Sequence, residues 1–549
     1  LDSDDDGCSD ANEYYEDRLA DNDDDLEFGD SGSLAVDTDG EVVGAGYDGV
    51  GIANVTDPDV SRGCYFIQNT NGNWQTDTNW LNGSVPATTE NAFIKSQSTI
   101  AQEQTINNLE LGTGGKIDIN SSISLNVEGD ITNNSQFTGE GEVILNGTAN
   151  QDLLGDGEYE NLRLNNSSGA DIINSTAING VLYIDNGTFT TNDAVTFPYD
   201  SSSTNNRVGQ IGQVNGSISG DVEVHRFIPA GDNDLRAFRF LSTAVDSNGT
   251  IKANWQEGAT NNTDDPNPGF GTHITGNVNG NDGFDASGSG QASLLEFDNQ
   301  AQTWGSISDT DPTKLKAGNA YNLFVRGDRS IDLSLSSANQ TPSNTTLRST
   351  GTLATGSLTT GTELPALASG ADQWSFIGNP YQAIVDITQV LNNTNSNNLN
   401  TGFYWVWDPN KGTNQGAYVA VDLPAGTNPG TSDANQFVQP GQSFFVQNSS
   451  TSGSNNLTFT ESAKNVTETA TQVFSNNDQT SINLLLYKDQ ALTNNDSEED
   501  ALGINFTPNA NNGVDQMDAA KFTNIDENLA RSNNGNLISI ENRAMPVDD

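Results

Sequence analysis

Positive charge is scarce in this chain. Lysine and arginine total 21 against 74 aspartates and glutamates, a formal net charge of −53 over 549 residues. That balance excludes nucleic acid as a partner, because a phosphate backbone would be repelled. Histidine is nearly absent as well: His225 and His273 stand far apart, which excludes a histidine-rich metal site. The two cysteines, Cys8 and Cys64, lie beside no base that would activate a thiol. Long apolar runs are missing; residues 484–487 are far too short to span a membrane. No export leader is visible either. The chain starts inside an acidic repeat and stops at Pro546-Val547-Asp548-Asp549, which reads as a piece of a longer protein.

What is present is carboxylate at regular spacing. Asp2, Asp4, Asp6, Gly7, Asp10 and Glu13 occupy positions 1, 3, 5, 6, 9 and 12 of an EF-type loop. Oxygen ligands at alternate positions converge on one hard cation only if the chain turns sharply, and Gly7 permits the turn. The carbonyl of Cys8 supplies position 7, and Glu13 closes the site. The reading is a Ca2+ loop that orders when the ion binds. Weaker ligand sets follow at Asp21, Asp23 and Asp25, and at Asp37 and Asp39. Cys8 and Cys64 bracket this segment and predict a disulfide, worth roughly 4 kcal/mol in the chain-entropy model.

Only 33% of residues are hydrophobic, and 55 are glycine. The apolar residues nonetheless come in short alternating runs bounded by Asn, Gly, Ser and Thr, the pattern of many short strands. The fold class expected is all-β. Residues 1–64 form the calcium segment. Residues 65–200 carry an internal repeat: Asn108-Leu109-Glu110-Leu111 returns as Asn161-Leu162-Arg163-Leu164, and Asn134-Ser135-Gln136-Phe137 as Asn186-Gly187-Thr188-Phe189. The period of 52 or 53 residues suggests a parallel β-solenoid whose coils stack an Ile/Leu/Val stripe. Residues 201–219 read as a Ser/Asn/Gly linker. Residues 220–470 predict antiparallel sandwich-like units, and residues 475–549 the start of a further β unit.

Three stretches invite chemistry. Phe403, Trp405 and Trp407 share one strand face, which serves either as a sandwich core or as a platform for sugar rings. Glu257 is a lone candidate acid among many carboxylates. Arg326-Gly327-Asp328 matches a receptor tripeptide, but it sits between 321–325 and 331–333, which read as two strands of a hairpin with Gly327 in the turn.

Several blocks together resemble a known family. They are the acidic 2–13 loop, Trp74-x5-Trp80-x2-Gly83-x2-Pro86, Asn254-Trp255-Gln256-Glu257-Gly258, Gly269-Phe270-Gly271-Thr272-His273-Ile274 and Val325-Arg326-Gly327-Asp328-Arg329. Ile377-Gly378-Asn379-Pro380-Tyr381, Pro440-Gly441-Gln442-Ser443-Phe444-Phe445 and Asp518-Ala519-Ala520-Lys521 complete the set. The chain is similar to large secreted or cell-surface repeat proteins of the Bacteroidota, adhesin-like substrates of the type IX secretion machinery, with calcium repeats like those of thrombospondin type 3 arrays. The resemblance implies an extracellular or cell-surface location, a structural or adhesive role without catalysis, and surface glycans or other surface proteins as partners. A polysaccharide-binding or polysaccharide-degrading protein and a subunit of an extracellular filament are the alternatives.

Overall fold

A computed structural model describes residues 65–544, apart from residues 81–82, 200–206, 231–236, 336–342, 410–415, 429–431, 451–452, 469–480, 490–499, 508–510, 515–517 and 522–526. The described chain is 46% strand and 4% helix, an all-β protein. It divides into two compact units: residues 65–195 with 215–219, and residues 196–214 with 220–544.

The first unit is a stack of parallel coils. The coils from Ala92 to Leu145 lay down three short strands each, later coils join two faces in one longer strand such as Glu158–Asn165 or Thr176–Asn186, and strands pair with their counterparts one coil on. Leu125 pairs with Val143, Val143 with Leu162 and Leu162 with Leu182, so a coil takes about 20 residues. One face runs through Phe66–Gln68, Ala92–Ile94, Leu109–Leu111, Ile131–Asn133, Gln151–Leu154, Ala170–Ile172, Thr188–Thr190 and Ser217–Ser219. Strand alternation drives the inside-outside choice. In Lys116–Ile119, Ser124–Val127 and Glu142–Leu145 every second side chain is buried, and those are Ile, Leu and Val. Phe137 and Tyr159 stack at 5.0 Å inside. At the corners, buried amides close the hydrogen bonds that turning strands leave open: Asn133 Nδ2 donates to the Glu158 carbonyl, Gln151 Nε2 to that of Val127, and Asn166 Nδ2 to Gln151 Oε1. Trp74 and Trp80 pack edge to face at 4.8 Å near the start of the stack, with Trp80 Nε1 donating to the Trp74 carbonyl.

The coil corrects the expected period. An offset of 53 residues is two coils and roughly two-thirds of a third, so it carries each strand to a different face. Leu109 pairs with Ile131 on one face, whereas Leu162 pairs with Val143 and Leu182 on another. The similarity is real, but it reflects a strand-and-corner pattern common to all three faces. The expected 201–219 linker also contains strands, Gln210–Val214 and Ser217–Ser219.

The second unit is built on two four-stranded antiparallel sheets. One has the order Ala237–Leu241, Tyr321–Val325, Leu294–Asp298, Thr303–Ser306. The other runs Trp374–Gly378, Ser443–Gln447, Phe403–Asp408, Ala417–Asp422. An aromatic layer lies between them: Phe240, Phe297 and Trp304 from the first sheet meet Phe376, Trp405, Trp407, Tyr418 and Phe445 from the second. Each sheet buries its other face too. Leu294, Tyr321 and Leu323 pack on the short helix Ile251–Trp255, and Tyr404, Val406 and Phe444 pack on the helix Ile387–Leu391. Both helices are capped by side chains, Thr250 accepting from Ala253 N and Asp386 from Thr388 N. A last, mixed sheet has the order Ser481–Leu486, Asp500–Thr507, Asn536–Ala544, Ala519–Ala520, with Arg531–Asn533 hairpinned onto Asn536–Ala544. No helix among the described residues is long and apolar enough to cross a membrane.

Candidate functional site

The calcium ligands Asp2, Asp4, Asp6, Cys8, Asp10 and Glu13, the weaker sets at Asp21, Asp23, Asp25, Asp37 and Asp39, and the Cys8–Cys64 pair all lie outside the described residues. Among the described residues no three His, Cys, Asp or Glu side chains gather as a metal site.

Phe403, Trp405 and Trp407 do share a face, and that face is the aromatic layer. Trp405 is 3% exposed and meets Trp374 edge to face at 4.4 Å. It therefore offers no open ring to a sugar. Trp407 meets Tyr418 at 5.0 Å and 90°. The indole N–H groups of Trp405 and Trp407 find no hydrogen-bond acceptor among the described residues. Phe403 and Trp407 remain only half-buried.

The Arg-Gly-Asp tripeptide is tied down. Asp328 is buried and accepts from Gly269 N at 3.0 Å, from Ser330 N at 3.1 Å, and from the hydroxyls of Ser330 at 2.5 Å and Ser343 at 2.7 Å. Burial works against its charge, but the Ser330 and Ser343 hydrogen bonds outweigh it and hold the carboxyl below its ordinary range. The guanidinium of Arg326 lies 4.8 Å over the Phe324 ring. The hairpin expected here does not form. Tyr321–Val325 pairs with Ala237–Leu241 and Leu294–Asp298, and residues 331–333 are not a strand.

Glu257 is likewise committed. Its φ of 54° turns the chain out of the Ile251–Trp255 helix into Gly258. Both carboxylate oxygens face Arg348, and Asn267 Nδ2 donates to Oε2 at 2.7 Å. Arg348 also approaches Glu223 at 3.7 Å and covers Phe270 at 4.6 Å. Glu223 in turn holds His225 Nε2 at 2.8 Å.

The centre that sequence reading missed is Asp285. It is 3% exposed, and three of the family-like blocks converge on it. Arg329 donates through both terminal nitrogens, at 2.7 and 3.0 Å, and Gln256 Nε2 donates at 3.1 Å. His273 Nδ1 lies 3.4 Å away, while its Nε2 donates to the carbonyls of Arg329 and Ile331. Ile274 N donates as well. The remaining Arg329 donors go to the carbonyls of Asp264, Thr272 and Asn261, so all five are used. Burial alone would push the Asp285 carboxyl up; bonding and charge from His273 and Arg329 prevail and hold it far below the carboxylate range. Gly283-Phe284-Asp285 gave no signal by itself, because a turn aspartate looks the same whether solvated or buried.

The other blocks act in the same way. Asn379 Nδ2 donates to the carbonyls of Ala383, Val438 and Gln439, and its backbone N to that of Gln442. Asp518 accepts from Asn542 N, and Lys521 pairs with Asp500.

A family model described as a domain of unknown function (DUF8693) matches residues 286–549. No curated protein and no solved structure matches the chain.

Proposed function

We propose that this chain is a structural and adhesive segment of a calcium-stabilised extracellular surface protein. The observation that carries the reading is the use of its polar motif blocks. Arg329, Asp285, Asp328, Glu257 and Asn379 spend their hydrogen-bonding capacity inside the fold, as clamps between distant segments. The stack of coils, which gains length by repetition, supports a spanning role. Adhesion of such a protein comes from many weak contacts acting together rather than from one deep pocket. Ca2+ held by the 2–13 loop would stiffen the N-terminal segment, and export by the type IX machinery to the cell surface belongs to the same reading. The role is one of spanning and binding, without catalysis.

Two observations favour second readings. Phe403 and Trp407 are half-open at the rim of the aromatic layer, which favours carbohydrate binding there. Ile482 and Leu484 are exposed on Ser481–Leu486, which has one strand partner among the described residues; that favours assembly through an edge, as in a filament.

The test is retention of the chain on a panel of immobilised and insoluble polysaccharides, in calcium and again in chelator. Calcium-dependent retention on one glycan class supports the adhesive reading. Release of soluble sugar from the matrix would overturn it in favour of a degrading enzyme.

A further inference from the structure

Two lysines of the second unit are buried against a carboxylate, and they are held differently. Lys464 Nζ is shared: it meets Glu461 Oε2 at 2.7 Å, donates to the Gly212 carbonyl at 3.0 Å and lies 4.7 Å over the Tyr381 ring. Glu461 is shared too, accepting from the backbone N–H groups of Val214 and Gly356. Among the described residues Lys521 has no such division. Its Nζ straddles one carboxyl, 2.6 Å from Asp500 Oδ1 and 2.5 Å from Oδ2, and the two side chains are 6% and 7% exposed.

We propose that Lys521 and Asp500 join through a side-chain amide, an isopeptide bond that clamps the C-terminal sheet. The surroundings suit the reaction. Ala501 N donates to Oδ1 at 2.9 Å, and Leu529 N donates to Oδ2. Both donors point at the oxygens on which negative charge builds when the carboxyl carbon is attacked, the arrangement that stabilises a tetrahedral intermediate. The amine already touches the carboxyl group through both oxygens, so it has only to shift out of the carboxyl plane to reach Cγ. Loss of two buried charges favours the product, because an ion pair in a low-dielectric site carries a desolvation cost that a neutral amide does not.

The step balances without a co-reactant. A proton passes from the ammonium to the carboxylate oxygen it touches, giving an amine and a carboxylic acid. The nitrogen lone pair attacks Cγ of Asp500, and the Cγ–Nζ bond forms. The Cγ–O bond to the protonated oxygen breaks, and the hydroxyl leaves as water with one proton from nitrogen. Nothing is oxidised or reduced.

Position gives the bond a purpose. Asp500 opens the Asp500–Thr507 strand, and Lys521 directly follows Ala519–Ala520; these strands flank Asn536–Ala544 on opposite sides. One covalent link would fasten two of that central strand's neighbours. Residues 65–549 contain no cysteine, so no disulfide can do this.

The experiment is the intact mass of the full chain as purified, followed by peptide mapping. The expected mass is lighter than the sequence by one water, with the Lys521 peptide found only joined to the Asp500 peptide. Lys521→Arg should return the sequence mass. Asp500→Asn should close by losing ammonia instead, reaching the same final mass as the linked wild type. A folded wild-type chain at its full sequence mass overturns the proposal, as does a water loss that maps elsewhere or persists in Lys521→Arg. The wild-type map decides the matter even if a variant fails to fold.

Discussion

The coiled unit and the two-sheet unit solve the same problem with opposite means. In the coils, each residue's partners lie about 20 positions away, and the interior repeats one theme of Ile, Leu and Val. In the two-sheet unit, partners lie far apart in sequence: Arg329 reaches back to Asp285 and Asn261, and Arg348 to Glu257. Its core is a unique set of aromatics. The first design spreads stability evenly, one coil interface after another. The second concentrates it in a few polar hubs, each of which fixes several loops at once.

Four changes would break or sharpen that contrast. The largest effect is expected from Arg329→Met, which strands the Asp285 carboxylate in the interior. The cost should be about 3–5 kcal/mol. Hydrogen exchange should show protection lost throughout the Leu294–Asp298 and Tyr321–Val325 strands and retained in the coils; equal loss in both units would refute the division. Leu162→Ala, a cavity in the coil interior, should cost about 2–4 kcal/mol. Its exchange signature should be confined to the adjoining coils, and a global transition would show that the stack is more cooperative than its local contacts imply. Glu257→Gln weakens the paired contact with Arg348 and should cost about 1–3 kcal/mol, read from urea denaturation followed by tryptophan fluorescence. Arg163→Ala is the smallest. Arg163 bridges Glu142 and Asp185 at 2.9 Å on a half-exposed face, and about 0.2–1 kcal/mol is expected, vanishing in high salt.

Acid should separate the Asp285 hub from the Asp152 corner by sign. Asp285 and Asp328 titrate lower when folded than when unfolded. Their stabilisation is complete above about pH 5 and is lost as the pH falls through the ordinary carboxylate range towards their folded values. Asp152, in the coils, is shifted the other way, by burial and by its neighbours Asp130 and Asp171. Its contribution is unfavourable at neutral pH and is relieved as acid protonates it. Exchange measured from pH 6 downward should therefore weaken the Asp285 region before the Asp152 region. The reverse order would contradict these assignments.

Strand content was legible in the sequence because alternation is a local signal: Lys116–Ile119 reads inside and outside at sight. The parallel stack was legible as well, since Asn and Gly corners recur. Coil length was not. All three faces share one pattern, so the best internal match of the chain fell between faces rather than between coils. The fate of Phe403, Trp405 and Trp407 was half legible. Their common face follows from the strand period, but what covers it comes from Phe240, Phe297 and Trp304, far away in the chain. Asp285 lay beyond reach for the same reason: its side-chain partners Gln256, His273 and Arg329 are set by tertiary contacts that no spacing encodes.

The repeating coil also makes length a countable quantity. Each coil advances the stack by one strand separation, about 4.8 Å. An insertion of about 20 residues, cut at equivalent corners, would be absorbed as one more step, with both neighbours meeting the surface they met before. The two-sheet unit has no repeated surface to extend, and the Arg329–Asp285 contact fixes its loops at one spacing. Variation among relatives of this chain should therefore appear in the coils as whole steps and in the two-sheet unit only as changes of loop.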